Sequence, residues 1–193
     1  AFNAGYWKEM EDVGKKFLAD FANSDRYVVG PSGSCVGFVR NFYGTLYANT
    51  PVHNYYKGLR KNLFEFSEFM VDVLKVDNIG GKLNAKIIYH DACGALRECK
   101  VKEAPRKLLS NIEGIEIVEM TDAETCCGFG GTFSVKFEPI SIGMADQKVH
   151  HALDTGAEYI ISTDMSCLMQ LSGYIKTKGF PLKTMHIADV LAN

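Results

Sequence analysis

Short runs of β-branched and aromatic residues alternate along this chain with segments of helical apolar spacing, and that alternation narrows the possible folds more than any other feature. The runs are Tyr27-Val28-Val29, Ala85-Lys86-Ile87-Ile88-Tyr89, Ile115-Glu116-Ile117-Val118, Tyr159-Ile160-Ile161 and a short one from Leu182 to Met185. Between them the apolar residues return once per helical turn. Residues 4 to 23 carry Tyr6, Met10, Val13, Phe17 and Phe21 in this way. Ser34 is placed to cap a helix holding Cys35, Phe38, Val39 and Phe42. Further helices are predicted over 54–75, through Leu63, Phe66, Phe69 and Val73, over 104–111 and over 141–154 with Gly156 as its stop, and again after Cys167. The stretch 77–82 reads as a turn. Strands that alternate with helices build βαβ units and a mainly parallel sheet, whose functional loops lie at the carboxyl ends of the strands. Cys35, Cys93 and Cys167 each follow a predicted strand, so they are expected to crowd one edge of the molecule.

A single constant shift lays one part of the chain on another. Tyr27-Val28-Val29 falls on Tyr159-Ile160-Ile161, Ser34-Cys35 on Ser166-Cys167, and Lys16 on Lys148. The expected architecture is therefore α/β: two pseudo-symmetric Rossmann-like repeats, residues 1–80 carrying the later part of the first repeat with a connecting helix, and 81–193 a complete second one. In the second repeat Cys126-Cys127-Gly128 precedes Cys167, and the same shift puts a first Cys-Cys pair just ahead of Ala1. The sequence-based expectation is a first repeat truncated at its N-terminus.

The net charge of −2 gives no general field that would call for nucleic acid or anionic lipid. No apolar run approaches the roughly 20 residues of a bilayer span. The opening residues lack the basic and apolar regions of a secretion signal. The expected compartment is the reducing cytoplasm, with any membrane association peripheral and through partners. In such a compartment the six cysteines are expected to be buried, metal-binding or redox-active rather than structurally paired.

In the second repeat they come as Cys93, then the adjacent pair Cys126-Cys127, then Cys167. Adjacent cysteines are poor partners for each other. Neighbouring Cα atoms lie about 3.8 Å apart, whereas a relaxed disulfide wants about 4.4–6.8 Å. Two adjacent thiolates can instead ligate one multinuclear centre. Gly128, Gly130 and Gly131 let the backbone come close to such a centre and aim N–H groups at sulfur. The helix starts after Ser34 and Ser166 would add positive dipole ends. His90 is expected to support the sulfurs from behind, with zinc ligation as its other use. Asp91 and Arg97 are placed to orient the Cys93 loop. Cys99, with Lys100 and Lys102 beside it, reads as a buried small hydrophobe. His150 and His151 read as helix-surface residues, and Gly128-Phe129-Gly130-Gly131 lacks the full pattern of a nucleotide loop.

Three segments carry a resemblance. Tyr89-His90-Asp91-Ala92-Cys93-Gly94-Ala95-Leu96-Arg97-Glu98, Cys126-Cys127-Gly128-Phe129-Gly130-Gly131 and Met165-Ser166-Cys167-Leu168-Met169 resemble the CCG cysteine-rich domain. More narrowly they are similar to the small iron–sulfur subunit of the lactate-utilisation system, a relative of the glycolate oxidase iron–sulfur subunit and of the cysteine-rich subunit of heterodisulfide reductases. Pro31-Ser32-Gly33-Ser34-Cys35 is similar to the end of that family's first repeat. The resemblance implies electron transfer during oxidation of L-lactate (or glycolate), in a complex with other iron–sulfur subunits. It implies a cluster on Cys93, Cys126, Cys127 and Cys167, with Cys35 serving the first repeat. Many such domains end in Cys-x-x-Cys, but here Leu168, Met169 and Gln170 follow Cys167, and Val36, Gly37 and Phe38 follow Cys35. Without the fifth thiolate a [4Fe–4S] cluster is the expectation, rather than the noncubane clusters of heterodisulfide reductases.

Two readings from other classes use the same residues. One is a zinc-stabilised structural or docking module, since Zn²⁺ accepts four thiolates equally well. The other is a thiol–disulfide oxidoreductase working through paired cysteines.

Overall fold

The computed structural model describes residues 1–21 and 25–193; Ala22 and Asn23, the end of the first expected helix, lie outside the described residues. A 3₁₀ turn at Phe2–Ala4 precedes helix α1, Trp7–Phe21. Then come β1 (Val28–Gly30), α2 (Gly33–Leu46), α3 (His53–Asn62), β2 (Leu63–Glu65) and α4 (Phe66–Glu68), which runs on as a π-helix over Phe69–Val73. The second half holds β3 (Lys82–Tyr89), a π-helical turn at Gly94–Glu98, α5 (Glu103–Ser110), β4 (Glu113–Ile117), α6 (Thr132–Lys136) and α7 (Glu138–Asp154). It finishes with β5 (Tyr159–Ser162), α8 (Met165–Lys178), β6 (Lys183–His186) and α9 (Ile187–Leu191).

Among the described residues the strands form two sheets, both parallel throughout. β1 pairs with β2, and the larger sheet has the order β4-β3-β5-β6. A parallel sheet with crossover helices is covered on both faces, so its central strands are apolar on both sides. Ile87, Ile88, Ile160 and Ile161 are fully buried. Ile88 and Ile160 face a core that contains Val149, Leu168, Leu171, Cys127 and Cys167. Ile87, Tyr89 and Ile161 face the opposite one, against Leu108, Leu109, Ile187 and Val190. Each fully buried isoleucine contributes about 1.5–3 kcal/mol.

The repeat shift extends to whole elements. The step that carries Lys16 to Lys148 also carries Gly33 and Leu46, the bounds of α2, to Met165 and Lys178, the bounds of α8. It places α1, Trp7–Phe21, inside α7. The helix caps obey it as well. Ser32, not Ser34, caps α2, its side chain accepting from Cys35 N, and its repeat mate Asp164 stands at the N-cap of α8.

One expected helix is broken. Residues 54–75 divide into α3, β2, α4 and the π-helix. Leu63 and Phe66 keep helical spacing, but Leu63 and Glu65 are both buried as an extended pair beside Val28 and Gly30. The Glu65 carboxylate then caps α4 by accepting from Ser67 N and Glu68 N at 2.8 and 3.1 Å. Arg40 holds the break from α2, donating to Leu63 O and to the Glu68 carboxylate. Among the described residues no helix is long and apolar enough to cross a membrane.

Candidate metal centre

The strands of the larger sheet end on a common edge, and each of three ends delivers cysteine to it. β3 stops at Tyr89, although His90 N still donates to Ile161 O at 2.8 Å. The chain then turns, and Cys93 stands at the start of the Gly94–Glu98 π-turn. β5 stops at Ser162, whose hydroxyl donates to His90 O at 3.0 Å and accepts from Asp164 N at 3.3 Å. Asp164 opens α8, with Cys167 in its first turn. The segment after β4 brings in Cys126 and Cys127.

At this edge the four sulfurs meet. Cys126 Sγ lies beside Cys93 and Cys127 and accepts from Gly128 N–H at 3.4 Å. Cys127 touches Cys167 in turn. These neighbours hold the Cys126 thiol far below its usual range, the Cys127 thiol being the main cause. The same contacts push Cys93 and Cys127 the other way: each faces Cys126, and burial adds to the effect. The three thiols titrate as one set, in which charge on one sulfur opposes charge on its neighbours. All six cysteines are free thiols.

His90 sits against this group, fully buried. Its ring nitrogen and the sulfurs of Cys127 and Cys167 lie within 4.8 Å of one another. Neither ring nitrogen has a hydrogen-bond partner among the described residues. Burial pushes the imidazole down to about 3, with Lys148 acting in the same direction, so it is neutral at ordinary pH. A neutral imidazole offers one N–H and one lone pair. A fully buried side chain with both nitrogens unpartnered, facing sulfur, fits a group that takes up a metal or cluster.

Two residues that hold the site, Arg106 and Asp164, are not apparent from sequence. Asp91 is buried and takes both terminal nitrogens of Arg106, at 2.8 and 2.6 Å; Arg106 also bonds Glu119. This clamp ties the Cys93 loop to α5; of the pair expected to orient the loop, Asp91 does so with Arg106 as its partner in place of Arg97. The Asp164 carboxylate accepts from Ser34 N at 3.0 Å and from Ser166 Oγ at 2.5 Å, joining the starts of α2 and α8. The only sequence sign of this joint is that Ser32 and Asp164 are repeat mates.

Gly128 has φ +88, and a Cβ there would lie 2.5 Å from the Ser141 carbonyl oxygen. The Ser141 hydroxyl donates back to Gly128 O at 2.8 Å. Gly128→Ala is expected to cost about 1–3 kcal/mol through the strained backbone alone, with a further loss from that overlap. Urea denaturation together with metal retention checks this; unchanged stability would contradict the geometry. Gly130 and Gly131 follow at the turn into α6.

Cys35 lies at the same edge but not in the set. Its neighbour Ser34 packs on Gly94, beside Cys93. The Cys35 side chain is exposed and lines a separate cavity of about 580 Å³ with Phe17, Phe21, Tyr27, Val36 and Leu63. Cys99 is buried and donates to Gly33 O at 3.3 Å, as a packed thiol does. His150 and His151 donate from Nδ1 to the backbone oxygens of Asp146 and Thr121.

Known proteins resemble this chain closely. Residues 87–172 match the cysteine-rich domain family CCG. Lactate utilization protein A of Lysinibacillus sphaericus (strain C3-41) is 44% identical over 192 residues, 99% of this chain and 83% of that protein. The protein of that name from Geobacillus sp. (strain WCH70) is 42% identical over 191 residues, 99% and 80% of the two chains. That of Halalkalibacterium halodurans is 44% identical over 192 residues, 99% and 78%.

Proposed function

This chain belongs to the lactate utilization protein A family and carries its cysteine-rich domain, and from that premise we propose that it is an iron–sulfur electron-transfer subunit of an L-lactate-oxidising system. The observation that supports this best is the convergence of Cys93, Cys126, Cys127 and Cys167 beside an unpartnered, fully buried His90. In this reading those four thiolates hold a [4Fe–4S]-type cluster. Such a cluster supplies one-electron storage and transfer. The chain's own residues hold it. Gly128 N–H and the first turn of α8 stabilise negative sulfur, and His90 donates from the buried side. The surrounding apolar core keeps water from Cys127 and Cys167, at 2% and 7% exposure, while Cys93 and Cys126 are half-buried. Residues 1–80 and 81–193 form the two repeats, and Cys35 serves as a ligand for the first. The partners are other iron–sulfur subunits of the same lactate- or glycolate-oxidising complex.

The test is anaerobic isolation of the full chain with iron, acid-labile sulfide and zinc analysis and a visible spectrum. Brown protein with iron and sulfide in equal amounts is expected. Colourless protein with stoichiometric zinc would overturn the reading. That second outcome also has an observation in its favour. Ligand atoms of His90, Cys127 and Cys167 within 4.8 Å suit one tetrahedral ion, with bonds of about 2.0–2.3 Å.

Loading the site must displace protons from Cys93 and Cys127, both held above the ordinary thiol range. Metal affinity is therefore expected to rise from about pH 6 to about pH 8, with protons released throughout that interval. Co²⁺ binding isotherms in the two buffers, with calorimetric proton counting, measure this. Equal affinities would contradict the protonation pattern.

A further inference from the structure

We propose that Lys148 is a positioning residue for the sulfur site: its ammonium anchors the loop leading into Cys126-Cys127 and offsets the negative charge that the four thiolates gather. The second half of this rests on the cluster reading; the first does not.

Lys148 lies on α7 with only 1% of its surface exposed. Its Nζ donates to Asp122 O and Ala123 O, both at 2.9 Å. His151, one turn further along the helix, reaches Thr121 O at 3.0 Å. Two side chains of one helix thus grip three successive residues, just ahead of the ligand pair. An ammonium removed from water costs several kcal/mol unless an opposite charge compensates it. Among the described residues Lys148 makes no ion pair: its hydrogen bonds go to neutral carbonyls, and Asp91 is taken by Arg106. Cys127, the carboxylates of Asp91 and Asp122, and Cys126 all stand close enough for negative charge on them to act on it. Burial lowers the ammonium to about 8, which leaves it mostly charged at neutral pH.

Lys16, its repeat mate on α1, is 77% exposed and pairs with Asp20 on its own helix.

A positive charge fixed near a redox centre favours the more negative, reduced state. Removing it should lower the midpoint potential. The test compares Lys148→Gln, which keeps hydrogen-bond donors but no charge, with Lys148→Met, which keeps neither, and uses Lys16→Gln as the control. In the metal-free full chain, amide exchange over residues 121–127 is expected to rise at least tenfold in Lys148→Met, less in Lys148→Gln, and not at all in Lys16→Gln. In the anaerobically loaded protein, both Lys148 variants are expected to shift the reduced-to-oxidised ratio at fixed ambient potential about tenfold toward oxidised, which is about 59 mV for a one-electron couple. Wild-type exchange in the Lys148 variants overturns the anchoring role. A wild-type potential in a loaded Lys148→Gln protein overturns the electrostatic role. If the parent chain itself takes no cluster, the cluster reading fails, and the exchange measurement still decides the anchor. Should Lys148→Met not fold, Lys148→Gln carries both measurements.

Discussion

Cys126→Ala is expected to abolish metal retention, lowering affinity by well over 100-fold. Cys126 is the centre of the set: it stands beside Cys93 and Cys127, and its sulfur accepts from Gly128 N–H at 3.4 Å. Removing it takes away one ligand of four. Ligand bonds of structural sites together amount to about 10–16 kcal/mol, so a quarter of that lies far above the tenfold to hundredfold usual for a supporting residue. The contrasting variant is Cys99→Ala. Cys99 is more deeply buried than Cys126, but its thiol only donates to Gly33 O. It should cost about 1–2 kcal/mol of stability and leave metal content unchanged. Metal analysis of both variants, purified side by side without oxygen, measures the difference. Equal metal in the two would remove Cys126 from the site.

Arg106→Met is expected to be the most destabilising change outside the cysteines, at about 3–5 kcal/mol. The cost arises mainly at Asp91, which is 1% exposed at its side chain and loses both of its charged donors. A buried carboxylate stripped of its partner is penalised by that amount. The guanidinium also lies over the Tyr89 ring at 5.2 Å and pulls Glu119 well below the usual carboxylate range. Its loss therefore frees both the Cys93 loop and the segment that follows β4. The double variant Arg106→Met with Asp91→Leu should recover much of the loss, because no charge is then left buried. Guanidinium denaturation of the two variants gives the comparison. A single variant no weaker than the double one would show that the ion pair, rather than its breaking, is the unfavourable state.

Much of the fold could be read from the residues. The β-branched runs at Ile87-Ile88 and Ile160-Ile161 became the two central strands because they are apolar on both faces, as a covered parallel sheet requires. The repeat shift held to the bounds of α2 and α8. β2 was hidden because Leu63 and Phe66 satisfy helical spacing; only pairing with β1 and the Glu65 cap decide against the helix. The approach of Cys93, Cys126, Cys127 and Cys167 follows from strand ends sharing an edge. Cys35 obeys the same logic at the backbone, yet its side chain opens on the cavity beside α1. Arg106, Asp164 and Lys148 were illegible as site residues, since their partners lie 15 or more positions away and sequence carries no distances.

X-ray absorption at the iron and zinc edges of the anaerobically isolated full chain addresses the central assignment most directly. The expected result is an iron edge with sulfur alone in the nearest shell and metal–metal scattering beyond it, which a multinuclear centre produces and a single ion cannot. A zinc edge with an imidazole nitrogen in that shell, or iron surrounded mainly by oxygen and nitrogen, would contradict it.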